Sequence, residues 1–194
     1  MVVVEHPVDN ESGVHDHYMH LAMEQAREAG RKGEVPIGAL IVARNERGEM
    51  EILSQAHNLV ETRHDASAHA ELLAMQRAAK KQKNWRLINA TLYSSLEPCP
   101  MCLAACQAFR VSSIVYGAPD MRLGAIETHM KMLDVPHPFH TIEDVVPRVQ
   151  EAESAELLRD FFRQRRKKTK ADPNPPTLRR SKLTSKIRSW LSIL

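Results

Sequence analysis

Two short segments constrain this chain more than any other feature: Ala68-His69-Ala70-Glu71 and, downstream, Glu97-Pro98-Cys99-Pro100-Met101-Cys102. They place one imidazole, one carboxylate and two thiols where two helices should begin. Cys99 and Cys102 are three apart, so both sulfurs lie on one face of a first helical turn. Pro100 suits that turn because it has no N–H to lose there. His69 adds a third ligand from a second helix. Three ligands of soft or borderline type suit Zn2+, with a fourth position left for water. Helix N-termini carry positive partial charge, which stabilises thiolates and hydroxide alike. Glu71 is close enough to His69 to reach a zinc-bound water without being a ligand, and can carry its proton to a leaving group.

Plainer readings exist for each part. A C-x-x-C pair can be a redox couple, and His69 can be a satisfied core histidine. Glu71 can be a helix-start carboxylate, although Ser67 is one residue too far away for a capping box. A structural zinc site needs a fourth ligand, for which Cys106, one turn below Cys102, is the candidate.

At 194 residues the chain is long enough for one domain with a real core plus a tail. No apolar run approaches the length of a membrane span, and the N-terminus lacks the basic and apolar regions of a secretory signal. Three cysteines, two in a metal spacing, fit a reducing, cytoplasmic setting. The net charge of +3 hides an asymmetry, because residues 165–194 hold ten Lys/Arg against one acid, leaving 17 basic and 23 acidic residues upstream. An acidic body with a basic tail suggests a polyanionic partner, RNA or an anionic membrane surface; a solvated tail is the plain alternative.

Residues 1–15 read as an arm, 16–170 as the folded domain, and 171–194 as a Pro-containing linker with a basic amphipathic tail. Tyr18, Leu21, Ala22 and Ala26 predict a helix over 16–29 stopped by Gly30, with His15, His17 and His20 as surface histidines. An apolar strand over 37–43 turns at Asn45-Glu46-Arg47-Gly48 into a strand over 51–57. Asn58 follows at the edge where ligand loops gather, and its amide could read a base; an Asn in a turn is the alternative. A loop over 61–65 leads to a helix over 68–81, after which Trp85 and Leu87 pack. Strands over 90–96, 113–116 and 141–146 alternate with helices over 100–109 and 151–168, which implies parallel pairing through crossovers.

Asp120 sits just past a strand end, the usual side for substrate contacts. Phe139 is either a stacking surface for a base or a core aromatic. On the last helix Phe161 and Phe162 face inward. Arg163, Arg165 and Arg166 crowd its C-terminal end, where cations suit the helix dipole and can also meet phosphate. In the tail, Leu183, Ile187, Trp190, Leu191 and Leu194 share one helical face that could lie on RNA, anionic lipid or a partner.

H-x-E combined with P-C-x-x-C is the signature of the zinc nucleobase deaminases. With it, the chain resembles the bacterial tRNA-specific adenosine deaminases, of the cytidine deaminase-like superfamily, over about residues 16–168. The resemblance rests on Glu34-Val35-Pro36-Ile37-Gly38-Ala39, Arg63-His64-Asp65 before the His69 segment, Ala90-Thr91-Leu92-Tyr93, Leu96 through Cys102, and Tyr116-Gly117-Ala118 with Asp120. It continues through Gly124-Ala125 and Leu157-Leu158-Arg159-Asp160-Phe161-Phe162-Arg163. It implies an α/β protein, a three-layer α/β/α cytidine deaminase-like fold with a central mixed five-stranded sheet, assembled as a homodimer. One zinc per subunit would be held by His69, Cys99 and Cys102, with Glu71 as the catalytic proton carrier. The implied reaction is adenosine to inosine at the wobble position of a tRNA anticodon loop. Asn58, Asp120, Phe161, Phe162, Arg163 and Arg166 would contact the substrate. The alternative within the same superfamily is deamination of free guanine or another free nucleobase. Pro119, the run Ile126-Glu127-Thr128-His129 and the tail depart from the family pattern.

Overall fold

The computed structural model describes residues 11–171, with side chains over 13–168. The linker and amphipathic tail over 172–194, and most of the expected arm, lie outside the described residues. The chain divides into two units at Phe161/Phe162. Of the second unit, the described part is the C-terminal end of one helix.

Five strands, β1 (Gly38–Arg44), β2 (Met50–His57), β3 (Ala90–Leu96), β4 (Ser113–Ala118) and β5 (Asp144–Val146), form a sheet in the order β2-β1-β3-β4-β5. Among the described residues five α-helices accompany them: α1 (Glu11–Arg31), α2 (Val60–Arg63), α3 (Ala70–Gln82), α4 (Pro100–Phe109) and α5 (Glu151–Ala171). β1 pairs antiparallel with β2 and β3, whereas β3, β4 and β5 run parallel. The sheet is therefore mixed, and α4 is the crossover between β3 and β4.

Strand alternation decides the layering. Every residue of β1 except Arg44 is buried, so both faces of the strand need a cover. Leu40 and Val42 point to one side, where they join Tyr93, Val115 and the α1 residues Tyr18, Met19, Ala22 and Met23, with Leu157 of α5 packed against them. Ala39, Ile41 and Ala43 point to the other, into a cluster with Leu73, Met75 and Ala78 of α3 and Leu103 and Cys106 of α4. Each fully buried aliphatic contributes about 2 kcal/mol, so the two clusters hold the three layers together. α1 crosses β1 at Gly38, whose N–H donates to Ser95 Oγ at 3.1 Å. A Cβ there would lie 2.1 Å from the Ala22 carbonyl oxygen, so only glycine permits the approach. At the β2 edge, α3 reaches over: Arg77 donates to the Gln55 carbonyl at 2.5 Å and Lys81 to the Ile52 carbonyl at 3.2 Å.

Several local expectations change. α1 starts at Glu11 and runs through Gly30; the residue that ends it in the left-handed region is Gly33, φ 80°. The expected loop over 61–65 contains α2, closed by His64 at φ 51°. β5 is three residues long, shorter than the run 141–146 suggested. His15 is half-buried with Nδ1 3.0 Å from the Tyr93 hydroxyl, not a plain surface histidine. Leu87 is buried, its N–H donating to the Phe109 carbonyl at 2.7 Å, but Trp85 stays 46% exposed. Phe139 is 76% exposed, which excludes the core reading. No helix among the described residues is long and apolar enough to cross a membrane.

Candidate active site

The N-termini of α3 and α4 meet. His69 is the N-cap of α3 and Cys99 the N-cap of α4, both with extended backbone and neither using its side chain to cap. The imidazole and thiol are thereby left to face each other. His69 Nδ1 lies 3.6 Å from Cys99 Sγ and 3.5 Å from Cys102 Sγ. Ligand atoms at ordinary Zn–N and Zn–S lengths around a tetrahedron are about 3.6 Å apart, so the spacing suits a zinc ion. Among the described residues this is the one group of three or more His, Cys, Asp or Glu placed to hold a metal. Cys106 stands apart from it, fully buried in the core beside α3. A closed site completed by Cys106 is thus disfavoured, and a fourth position would remain for a small ligand.

Glu71, in the first turn of α3, is 3% exposed. Its Oε2 is buried and has no hydrogen-bond partner. A buried acceptor left without a donor costs about 1–3 kcal/mol, and this oxygen is free to take a hydrogen bond from a group bound at the tripod. Burial pushes the Glu71 carboxyl above its usual range, against the pull of the nearby His69. The two thiols split. The Cys102 thiol donates to Cys99 and, with His69, lowers Cys99 to about 4 against the effect of burial. Cys102 goes the other way, because its hydrogen bond to Cys99 and its burial favour the protonated form. A dication bound here would draw off that remaining proton.

A family model described as MafB19-like deaminase matches residues 14–166. The tRNA-specific adenosine deaminase of Bacillus subtilis (strain 168) is 46% identical over 154 residues, 79% of this chain and 92% of that protein. That of Agrobacterium fabrum is 39% identical over 150 residues, 77% of this chain and 95% of that protein. This chain belongs to the tRNA-specific adenosine deaminases. A solved structure from studies of A-to-I editing by tRNA:A34 deaminases at the wobble position matches it with a TM-score of 0.67 at 38% identity, covering 73% of this chain and 99% of that one.

Two buried carboxylates, which the sequence reading passed over, shape the loops around this deaminase site. Glu34 is fully buried and accepts from the backbone N–H of Thr62 at 2.7 Å and Glu61 at 3.1 Å, and from Asn58 Nδ2 at 3.4 Å. It holds the start of α2 and orients the Asn58 amide. The next residue, Leu59, donates to the Ala68 carbonyl at 3.0 Å, tying this loop to the residue before His69. Glu97 is 1% exposed and accepts from the backbone N–H of Glu127, Ile126, Asp120 and Thr128 and from the Thr128 hydroxyl, at 2.7–3.2 Å. Burial opposes its ionisation, but those donors outweigh burial and hold its carboxyl below the usual range. Gly124 passes so close that a Cβ would sit 2.1 Å from Glu97 Oε2. Thr128, within the stretch that departs from the family pattern, is part of this knot.

Asp120 stands on that loop, its Oδ1 accepting from the N–H groups of Arg122 at 3.0 Å and Leu123 at 3.3 Å. Phe161 is half-buried on α5, while Phe162, Arg163 and Arg166 belong to the second unit, both arginines exposed. A sequence signal for Glu34 and Glu97 does exist: each is an acid followed within two positions by proline at a strand boundary.

Glu97→Ala should leave four backbone donors without their acceptor. The zinc-loaded variant is expected to lose about 3 kcal/mol of unfolding free energy in urea, and the KM for RNA should rise as Asp120 loses its anchor. Because its folded pKa lies below its unfolded one, the Glu97 contribution is complete at neutral pH and fades as pH falls through the folded value.

Proposed function

We propose that this chain hydrolyses adenosine to inosine at the wobble position of a tRNA anticodon loop, using one zinc per subunit. The observation that carries the reading is the His69–Cys99–Cys102 tripod beside the buried, unpartnered Glu71 oxygen, in a chain 46% identical to a tRNA-specific adenosine deaminase. Zinc, when bound by those three residues, supplies Lewis acidity and a nucleophilic water at neutral pH. Glu71 accepts the water's proton and delivers it to the ring nitrogen adjoining C6; it then carries the remaining proton from the hydroxyl newly bonded to C6 to the amine, which departs as ammonia as the C6 carbonyl forms. Asn58, held by Glu34, hydrogen-bonds the target base.

An anticodon loop already exposes unpaired bases, so drawing one into a buried pocket costs little compared with a duplex. Asp120, Phe161, Phe162, Arg163 and Arg166 contact neighbouring nucleotides in this proposal. The family resemblance adds a homodimer acting in the cytoplasm. The deciding experiment is inosine formation in a tRNA carrying adenosine at the wobble position, with and without a zinc chelator. Chelator-sensitive inosine is expected. Bound zinc without inosine, but with activity on free guanine, would transfer the reading to a free-base deaminase.

A further inference from the structure

At the far end of α4 from Cys99, three separate segments bring rings and cations into alternation. The Arg86 guanidinium lies 4.1 Å from the Trp85 ring centroid, Arg110 lies 5.9 Å from the same ring, and Arg110 is also 5.9 Å from the Phe139 ring. His137 continues the series, its ring centroid 6.1 Å from that of Phe139. The platform is anchored: Leu87 N–H donates to the Phe109 carbonyl at 2.7 Å, and His140 Nε2 is 2.7 Å from the Val111 carbonyl. Neither Arg86 nor Arg110 has an ion pair among the described residues, although Arg110 donates to the Gln107 carbonyl at 3.0 Å. The ten-residue α4 separates this surface from the metal tripod by about 15 Å.

We propose that Trp85, Arg86, Arg110 and Phe139 form a second RNA-binding surface, which grips single-stranded RNA away from the catalytic pocket. Protein–protein interfaces also draw on aromatic residues and arginine, set around an apolar centre. Here each exposed ring is matched with a guanidinium that makes no ion pair among the described residues. That pairing is complementary to a chain with both stacking faces and negative charge: bases stack on the rings while the arginines meet phosphates. Arg110 capping the last turn of α4 accounts for one contact of the series, not for Trp85 and Phe139 remaining exposed beside it. The proposal rests on the reading that the substrate is RNA, but extends its contacts beyond the reacting loop.

The test measures fluorescence anisotropy of a fluorescein-labelled oligouridylate with the full-length, zinc-loaded protein. Oligouridylate has no adenosine, so its binding does not depend on turnover. Phe139→Ala and Arg86→Glu should each weaken binding about tenfold. Arg86→Glu should also flatten the slope of log affinity against log salt by at least about 0.7. Deamination of a saturating short anticodon stem–loop should stay at the parent rate. Phe139 is 76% exposed, so its variant tests the idea even if Trp85→Ala fails to fold. Binding within twofold of the parent in both variants, or no oligouridylate binding by the parent, overturns the proposal. So does a change in sedimentation without a change in RNA affinity, which would assign the surface to contacts between copies. Absence of inosine together with Phe139-dependent binding would fail the deaminase reading and leave the surface standing.

Discussion

Glu71→Gln is expected to retain its metal and lose about a thousandfold or more in turnover. The amide has the shape of the carboxylate, so His69, Cys99 and Cys102 keep their places. It cannot accept the proton that the reaction must move from water to the leaving amine. Metal content by atomic absorption and single-turnover inosine formation read the two halves separately. Stability gives a third, independent check. Glu71 is buried with one oxygen unpartnered, so it does not stabilise the fold as an ion. Melting of the variant should therefore occur at or above the parent temperature. A parental turnover rate in Glu71→Gln would remove the residue from the reaction.

Cys99→Ala should lose both metal and activity. Of the two thiols, Cys99 is the one whose thiolate is favoured, by the Cys102 thiol and by His69, which makes it the stronger ligand for a cation. Its removal leaves one imidazole and one thiol that burial keeps protonated. Two ligands do not hold zinc against a modest chelator. Cys106→Ala is the matched control, expected to keep a full complement of zinc, since Cys106 lies in the apolar cluster outside the tripod. Full zinc in Cys99→Ala, or zinc loss in Cys106→Ala, would redraw the ligand set.

What the sequence made legible was whatever local chemistry dictates. Pro100 announces the start of α4 because proline is tolerated only in a first turn, and the apolar run Ala90–Leu96 coincides with β3. The order of strands and helices after residue 66 implied the parallel pairs that β3, β4 and β5 form. The tripod was legible because H-x-E and C-x-x-C fix spacing along two helices. Contacts set by distant partners were hidden. Gly30 looked like a helix stop, but the chain can spend one more turn before Gly33 supplies the positive φ. Trp85 looked like core, but the adjoining Leu87 takes the buried position and leaves the indole between two arginines. Glu34 and Glu97 stood within the motifs without a role of their own, since their worth lies in donors 23 or more residues away.

The reach of α3 across β2 bears on how the molecule survives at high concentration. An open sheet ends in two unpaired rims, each a template on which a foreign strand can grow. β5 offers only three residues, too short to seed such growth. β2 offers eight, but Arg77 and Lys81 already occupy the Gln55 and Ile52 carbonyls. An incoming chain would have to displace two cations before it could zip on, and would then face their charge. The long rim is thereby guarded against fibrous self-association by side chains from the helix that also carries Glu71.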